Sequence, residues 1–517
     1  MRRAQTKQAG ASSKLQDKPP GKPEPGGTFP GFLPAVLLAV FVLQMIAASG
    51  LKSPTFDETG DIAAGVSYLQ NRSVWLNLQH PPLLKELSAL PLWISGARVT
   101  DPLEPGSERA LGAKLIQSNG PDRTMWLARL PMMAVSVMLG AILFLWGREL
   151  AGPRAALGAL LLFTLDPNIL AHGYLSTTDV GFAAFSLLFL YCVWRRYHWA
   201  VCGVAMGLAL ATKFTAVIVA MIALGLALAE GRKLKEVARE ALLATLVASV
   251  VVQLFYFSPD GLFLYTEGMR QVNQDHNPNY LVYLGGEFAH SFPFYFAEAW
   301  LLKAPIAMII AAAVGLWFAR SLDRRAKLYL FVPPILVFLG YAIWADDLGV
   351  RYIIPVMPFA FLLGGIGLAR MPRAAAAVLA LWALVAAAGI WPDHLSYFNE
   401  SSCLLKDPSK VGIDGGSRCG VAWLDDSNID WGQGYKQLKQ WSTEHAGGRT
   451  VNVAGFGSFP PGAYGLHEVK LDELPAKPQP GLWAVSAHFV ARAPVEWLKT
   501  LQPAAIVGHA IYVYDVK

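Results

Sequence analysis

The stretch LKSPTFDETGDIAAGVSYLQNRSVWLNLQHPPLLK, residues 51–85, decides how the rest of the chain is read. It directly follows the apolar run from Phe32 to Ser49. An acidic pair, Asp57-Glu58, stands where that run would leave a bilayer, and His80-Pro81-Pro82 and Lys85 follow. Charges at a membrane boundary cost free energy unless something pairs with them, so their default reading is a functional site.

The wider composition supports a membrane setting. Of 517 residues, 54% are hydrophobic and only 15% are charged, a balance too apolar for a soluble protein. The net charge of +6 sits in the N-terminal tail and in short loops between apolar runs. That is the pattern of cytoplasmic loops and argues against nucleic acid as a partner. Residues 1–29 are polar and rich in Gly, Pro, Lys and Ser, and read as a disordered cytosolic tail. The next run reads as an uncleaved span, with a cleaved signal peptide as the alternative.

A span needs about 20 mostly apolar residues. Candidates lie near 32–49, 126–146, 154–172, 180–194, 200–212, 214–230, 240–257, 304–319, 328–345, 352–369 and 374–391. Basic clusters assign the cytosolic side: Arg2/Arg3, Arg148 with Arg154, Arg195/Arg196, Arg232/Lys233/Lys235, Arg320 with Arg324/Arg325, and Arg370/Arg373. The alternation gives about 11 spans, with the N-terminus inside and the C-terminus outside. Trp199 to Ala229 is a single apolar run with Lys213 in its middle and basic loops at both ends. Parity makes it a hairpin of two short helices with Lys213 at their junction.

Residues 30–391 thus read as a transmembrane catalytic domain with outer loops 50–123 and 258–303. Residues 392–517 read as a small extracytoplasmic α/β domain. Thr450–Gly455, Leu482–Ala487 and Ala505–Tyr514 are patterned pieces, the first and last strand-like, and Asp430–Trp441 looks helical. Cys403 and Cys419 both fall here and allow a disulfide if the region lies outside the cytosol. Cys192 and Cys202 read as ordinary helix residues, and no CxxC pair or His-rich tract suggests zinc.

The residues able to carry chemistry gather on the outer side. Asp57 and Glu58 follow the first span and Asp179 opens a later one. His80 and Lys85 lie in the first outer loop, while Lys213, Lys303 and Arg351 sit at outer ends of spans. Each has a structural alternative. Thr55-x-x-Glu58 is a capping-box pattern, and Asp57 and Asp179 suit first helical turns. His80 before Pro-Pro can shape a loop, Lys85 can snorkel, and Arg351 can pair with Asp346 or Asp347. Their shared side, assigned from other residues, favours a common site.

FDETGD, QHPPLLK, HGYLSTTD, ATKFT, LLKAP and LGVRYIIPVMPF occur in an order that resembles the membrane glycosyltransferases with the C-type fold. More closely, the chain is similar to the protein O-mannosyltransferase and aminoarabinose-transferase superfamily, over most of residues 50–370. YFNE and WLDDSNIDWGQGYKQL also resemble the post-membrane region of bacterial relatives.

The resemblance implies a cell-membrane enzyme that passes a sugar from a polyprenyl-phosphate carrier to an acceptor hydroxyl. It implies Asp57 as base, Glu58 as its support, and Asp179 as an orienting acid. A phosphate that gains charge as the glycosidic bond breaks needs cations. Arg351, Lys213 and Lys303 are the candidates, with Lys85, His80 and the adjoining Tyr352 nearby. Single displacement would invert the anomeric centre. Lys and Arg could suffice without a metal, while Asp57, Glu58 and Asp179 are the residues that could hold a divalent ion. The outer loop 258–303 is short and carries no inserted domain for protein acceptors, so protein, lipid and polysaccharide acceptors all remain open.

Two other classes compete. A lipid or solute transporter would often show inverted repeats, which are not evident here. A membrane anchor presenting an interaction domain leaves the outward acids and bases unexplained. Trp423, Trp431, Trp441 and Tyr435 either line a sugar surface or fill a small core.

Overall fold

Caps and prolines set most of the element boundaries. The computed structural model describes residues 30–517 apart from 275, 276 and 278, so the tail 1–29 lies outside the described residues. Helix α1 (Leu33–Ser49) leads into α2 (Phe56–Asn71). There the Thr55 N–H donates to Glu58 Oε2 at 2.9 Å, the contact expected of the capping box. The stretch 50–120 is mostly helical: α2 is followed by α3 (Leu83–Ile94) and α4 (Glu108–Ser118). The three pack at glycines. A Cβ on Gly65 would lie 2.0 Å from the Lys85 carbonyl oxygen, and one on Gly112 1.9 Å from that of Thr59.

The apolar helices follow: α5 (Pro121–Ala151), α6 (Pro153–Thr164), α7 (Pro167–His172), α8 (Asp179–Trp194), α9 (Trp199–Leu210), α10 (Ala216–Ala229) and α11 (Leu234–Phe255). After the shorter α12 (Gly261–Gln274) come α13 (Tyr295–Lys303), α14 (Ile306–Phe318), α15 (Arg324–Trp344), a 3-10 segment Val350–Val356, α16 (Met357–Arg370) and α17 (Arg373–Gly389). The run 154–172 is two helices, because Pro167 cannot donate and Asp166 caps the second, accepting from Asn168 N–H at 2.9 Å and Ile169 N–H at 3.0 Å. Lys213 does sit in the turn between α9 and α10. The run near 304 is bent by 114° where α13 meets α14. The run near 352 opens as a 3-10 turn containing Pro355.

Among the described residues four helices are long and apolar enough to cross a membrane: α5, α11, α15 and the stretch Val350–Arg370. The bent pair would make a fifth, and the other apolar helices have 10–17 residues. Exposed Leu242, Leu246, Val250 and Leu254 on α11, and Val378, Leu381 and Leu384 on α17, leave apolar stripes that suit lipid. Inside, Trp146 is fully buried among Tyr191, Trp194, Tyr329 and Phe359, with ring centroids 6.0 to 6.3 Å away.

The segment before α13 holds the hairpin β1 (Val282–Leu284) and β2 (Glu287–Ala289). After α17, irregular chain is stitched to the helices: the Phe56 N–H donates to the Trp431 carbonyl at 2.8 Å and the Ser53 hydroxyl to that of Gly432 at 2.7 Å. Cys403 and Cys419 form a disulfide in this stretch. The five-stranded sheet has the order β4-β3-β5-β7-β6, from β3 (Val451–Ala454), β4 (His467–Glu468), β5 (Gly481–Ser486), β6 (Ala505–Val507) and β7 (Ile511–Val516). Strand β3 runs parallel to β4 and β5, and β7 antiparallel to β5 and β6. The expected helix 430–441 starts only at Tyr435 and ends at His445. Asp430 instead accepts the Gly432 N–H at 2.9 Å in a turn where Gly432 has φ +92°. Trp431, Trp483 and Val485 share one hydrophobic core with the helices, so the sheet is packed onto the helical body.

Candidate active site

Helix α2 places Asp57 and Asp61 one turn apart and hence on one face. Both line a cavity of about 470 Å³. Arg351 and Tyr352, from the 3-10 segment, also line it. Arg351 Nη1 donates to Asp57 Oδ2 at 3.1 Å and lies 3.6 Å from Asp179 Oδ2. Asp179 Oδ1 accepts from Lys213 Nζ at 2.8 Å. The result is a row of alternating charge, Asp57–Arg351–Asp179–Lys213, drawn from four separate elements. Asp57 keeps 28% of its side chain exposed, whereas Asp179 keeps 2%. Asp57 and Arg351 therefore form the surface of the row, Asp179 meets the guanidinium from behind, and Lys213 holds Asp179.

The guanidinium lies over Trp431 at 4.4 Å and Tyr352 at 5.1 Å. Its Nε is buried and has no hydrogen-bond partner among the described residues. One donor of the planar fork is thus left unpaired by the protein.

The loop between α2 and α3 supplies another part of the wall through Asn77, Gln79 and His80. His80 adopts φ +62°, and its Nδ1 is buried without a hydrogen-bond partner among the described residues. Burial, with the positive charges of Lys213 and Lys85, holds its imidazole well below the usual range, so it is neutral. Lys85 does not line the cavity. Its ammonium donates to the carbonyl oxygens of Asn77 at 3.3 Å, His80 at 3.4 Å and Gln79, and to Asn77 Oδ1 at 3.0 Å. It shapes the loop and lies 3.9 Å from Asp61 Oδ1.

The C-terminal region closes the cavity with Asp426, Trp431 and Phe456. Phe456 stacks between Phe56 at 5.5 Å and His488 at 4.1 Å.

Residues 110–258 match the family model of the dolichyl-phosphate-mannose-protein mannosyltransferases. ArnT from Cupriavidus metallidurans in the apo state aligns over 93% of this chain and 97% of its own, at 15% identity and a TM-score of 0.51. The chain has the C-type glycosyltransferase fold. ArnT bound to undecaprenyl phosphate aligns over 93% and 98% of the two chains, at 14% identity and a TM-score of 0.48. The oligosaccharyltransferase AglB from Archaeoglobus fulgidus, in complex with an inhibitory peptide and a dolichol-phosphate, aligns over 90% of this chain and 71% of its own, at 13% identity and 0.47. No curated protein matches the sequence.

Within this C-type glycosyltransferase fold, two residues besides Lys85 that were expected in the site also lie elsewhere. Glu58 is fully buried and pairs with Arg129, whose Nη2 and Nε donate at 2.6 and 2.8 Å, and it also accepts the Ser176 N–H at 3.0 Å. It fixes the start of α2 and does not face the cavity. Lys303 spends its ammonium protons on the carbonyl oxygens of Leu395 at 2.8 Å, Tyr397 at 2.9 Å and Asn428. It is a strut between α13 and the C-terminal region, not a phosphate ligand. Asp347, one alternative partner for Arg351, instead accepts from Ser291 Oγ at 3.0 Å and the Phe292 N–H at 2.8 Å. Asp57 and Asp179 share the Arg351 guanidinium while Glu58 faces Arg129, and no group of three His, Cys, Asp or Glu side chains that could hold a metal ion forms among the described residues.

Asp61, Glu108, Arg109 and Asp426 line the cavity without having been singled out from sequence. Asp61 had a signal, since it stands four residues after Asp57 in a helix whose cap was legible. The others come from segments whose meeting depends on the tertiary fold.

Proposed function

We propose that this chain transfers a sugar from a polyprenyl-phosphate carrier to an acceptor hydroxyl in the cavity between α2 and the 3-10 segment. The observation that carries the reading is the contact of Arg351 with Asp57 at the cavity wall. It supports reading Arg351 as a phosphate clamp and Asp57 as a base beside it, in a space of about 470 Å³ that is within the size range of small-molecule sites. An apolar groove of about 320 Å³, lined by Trp300, Phe338, Ile353 and Val356, uses the residues that follow Tyr352 on the same turn. It offers a path for the prenyl chain.

In this reading Arg351 takes the donor phosphate, with neutral His80 and Tyr352 beside it. Asp179 and Lys213 act through Arg351 by fixing its position. Asp57 accepts the proton of the acceptor hydroxyl as the new bond to the anomeric carbon forms and the bond to the phosphate oxygen breaks. The negative charge that develops on the leaving phosphate meets a cation already in place. One displacement inverts the anomeric centre. The site faces the non-cytoplasmic side, with about 11 crossings and the C-terminal region outside.

The test uses purified protein and undecaprenyl-phosphate-linked radiolabelled mannose, with other sugars as alternative donors. Released undecaprenyl phosphate and labelled product are measured. Asp57→Asn keeps donor binding and lowers turnover by about 10²- to 10⁴-fold. Near-normal turnover by that variant removes Asp57 as base. Movement of intact donor across vesicles without cleavage favours the transporter reading instead.

A further inference from the structure

Arg351 and Arg109 bring cations to the cavity, and carboxylates reach it from Asp57 and Asp61 on one face of α2 and from Glu108, Asp346, Asp347 and Asp426. The two carboxylates of α2 are not equivalent. Asp57 is engaged by Arg351 at 3.1 Å. Asp61 has a charged neighbour in Lys85 at 3.9 Å, beyond hydrogen-bond reach, while Lys85 holds four acceptors of the Asn77–His80 loop. Asp61 keeps 14% of its side chain exposed in the wall. Burial raises its carboxyl above the usual range, with Lys85 opposing. Residues four apart on a helix have Cβ atoms roughly 5–6 Å apart. A group that presents one hydroxyl to Asp57 can therefore present a second to Asp61 across the width of a sugar ring. Phe56, Trp431 and Asn77 also line this space.

Resting on the transfer reading above, we propose that Asp61 is a specificity-determining residue that binds a second hydroxyl of the acceptor. The acceptor class is then a saccharide unit, free or carried on a lipid or polymer, and not an isolated hydroxyl such as that of a serine side chain. Asp61 does not take part in bond making. It holds the ring so that one hydroxyl stands at Asp57.

The experiment compares two probes with the donor that the wild-type protein cleaves. One is a methyl hexoside, which carries several ring hydroxyls, and the other is N-acetylserine amide, which carries a single hydroxyl. The wild type prefers the hexoside. Asp61→Asn lowers the ratio of kcat/KM for hexoside over serine amide by about 10- to 100-fold, mainly through KM, as loss of a charged hydrogen bond should. Asp61→Glu recovers part of the ratio, which a purely structural role would not do. An unchanged ratio in Asp61→Asn, or a wild-type preference for the serine amide, overturns the assignment while leaving the transfer reading intact. Absence of any donor cleavage by the wild type overturns both.

Discussion

Asp57 and Glu58 are neighbours in sequence and end in different chemistry. Successive residues of a helix point about 100° apart, so one carboxylate enters the cavity and the other turns into the helical body. Glu58 and Arg129 both have fully buried side chains. Such a pair contributes little net stability when intact, because desolvation offsets attraction, yet removing one partner strands the other. Glu58→Ala should cost about 3–5 kcal/mol for that reason. A thermal melt of the purified variant checks this, and a melt equal to the wild type would show that Arg129 is not left uncompensated. Asp57→Asn, whose parent side chain is partly exposed, should melt close to the wild type and fail at turnover instead. The two adjacent acids thus separate stability from catalysis.

At the scale of elements, the site depends on how closely α2 and α3 approach. Gly65 lets the two helices meet, since a Cβ there would lie 2.0 Å from the Lys85 carbonyl oxygen. That atom is backbone and cannot rotate away. Gly65→Ala should push α3 outward and destabilise the protein by about 1–3 kcal/mol or more. Gly225 on α10 has nothing within 4 Å of its virtual Cβ and serves as the control. Gly225→Ala should be neutral or stabilising by roughly 0.5–1 kcal/mol. Equal melting temperatures for the two alanine variants would refute the crossing argument. Because Lys85 holds the loop that carries His80, Gly65→Ala should also raise the KM for the donor.

Across the whole molecule, a charged knot ties the ends of the helical body to the sheet. His509, in the turn between β6 and β7, sets Nδ1 2.8 Å from Asp393 Oδ2 and Nε2 3.1 Å from Asp414 Oδ2. Lys52, just after α1, pairs with the same Asp393 just after α17. Burial alone would lower the His509 imidazole, but its two carboxylate partners raise it from 6.5 to about 9. The folded value lies above the unfolded one, so the folded state holds this proton more tightly. The stabilisation is fully present below about pH 6.5 and is lost as pH rises through about 9. Melting temperatures between pH 6.5 and 9 should therefore fall more steeply in the wild type than in His509→Gln. Parallel pH profiles would show that the imidazole is not charged in the folded protein.

Sequence alone determined the helical membrane body, the cap of α2, the hairpin around Lys213 and the candidacy of Asp57, Asp179 and Arg351. Apolar run length, capping spacing and the cost of charge at a membrane boundary are local properties, legible without knowing any neighbour. Tertiary structure decided which of similar residues act together. Lys213 and Lys303 each end an apolar run, yet one faces a carboxylate behind Arg351 and the other faces three carbonyl oxygens. Asp61 and Asp426 enter the wall only because α2 and the C-terminal region are brought to the same cavity. A side chain's charge is written in its identity, but its partner is set by packing between segments hundreds of residues apart, as Asp57 and Arg351 are.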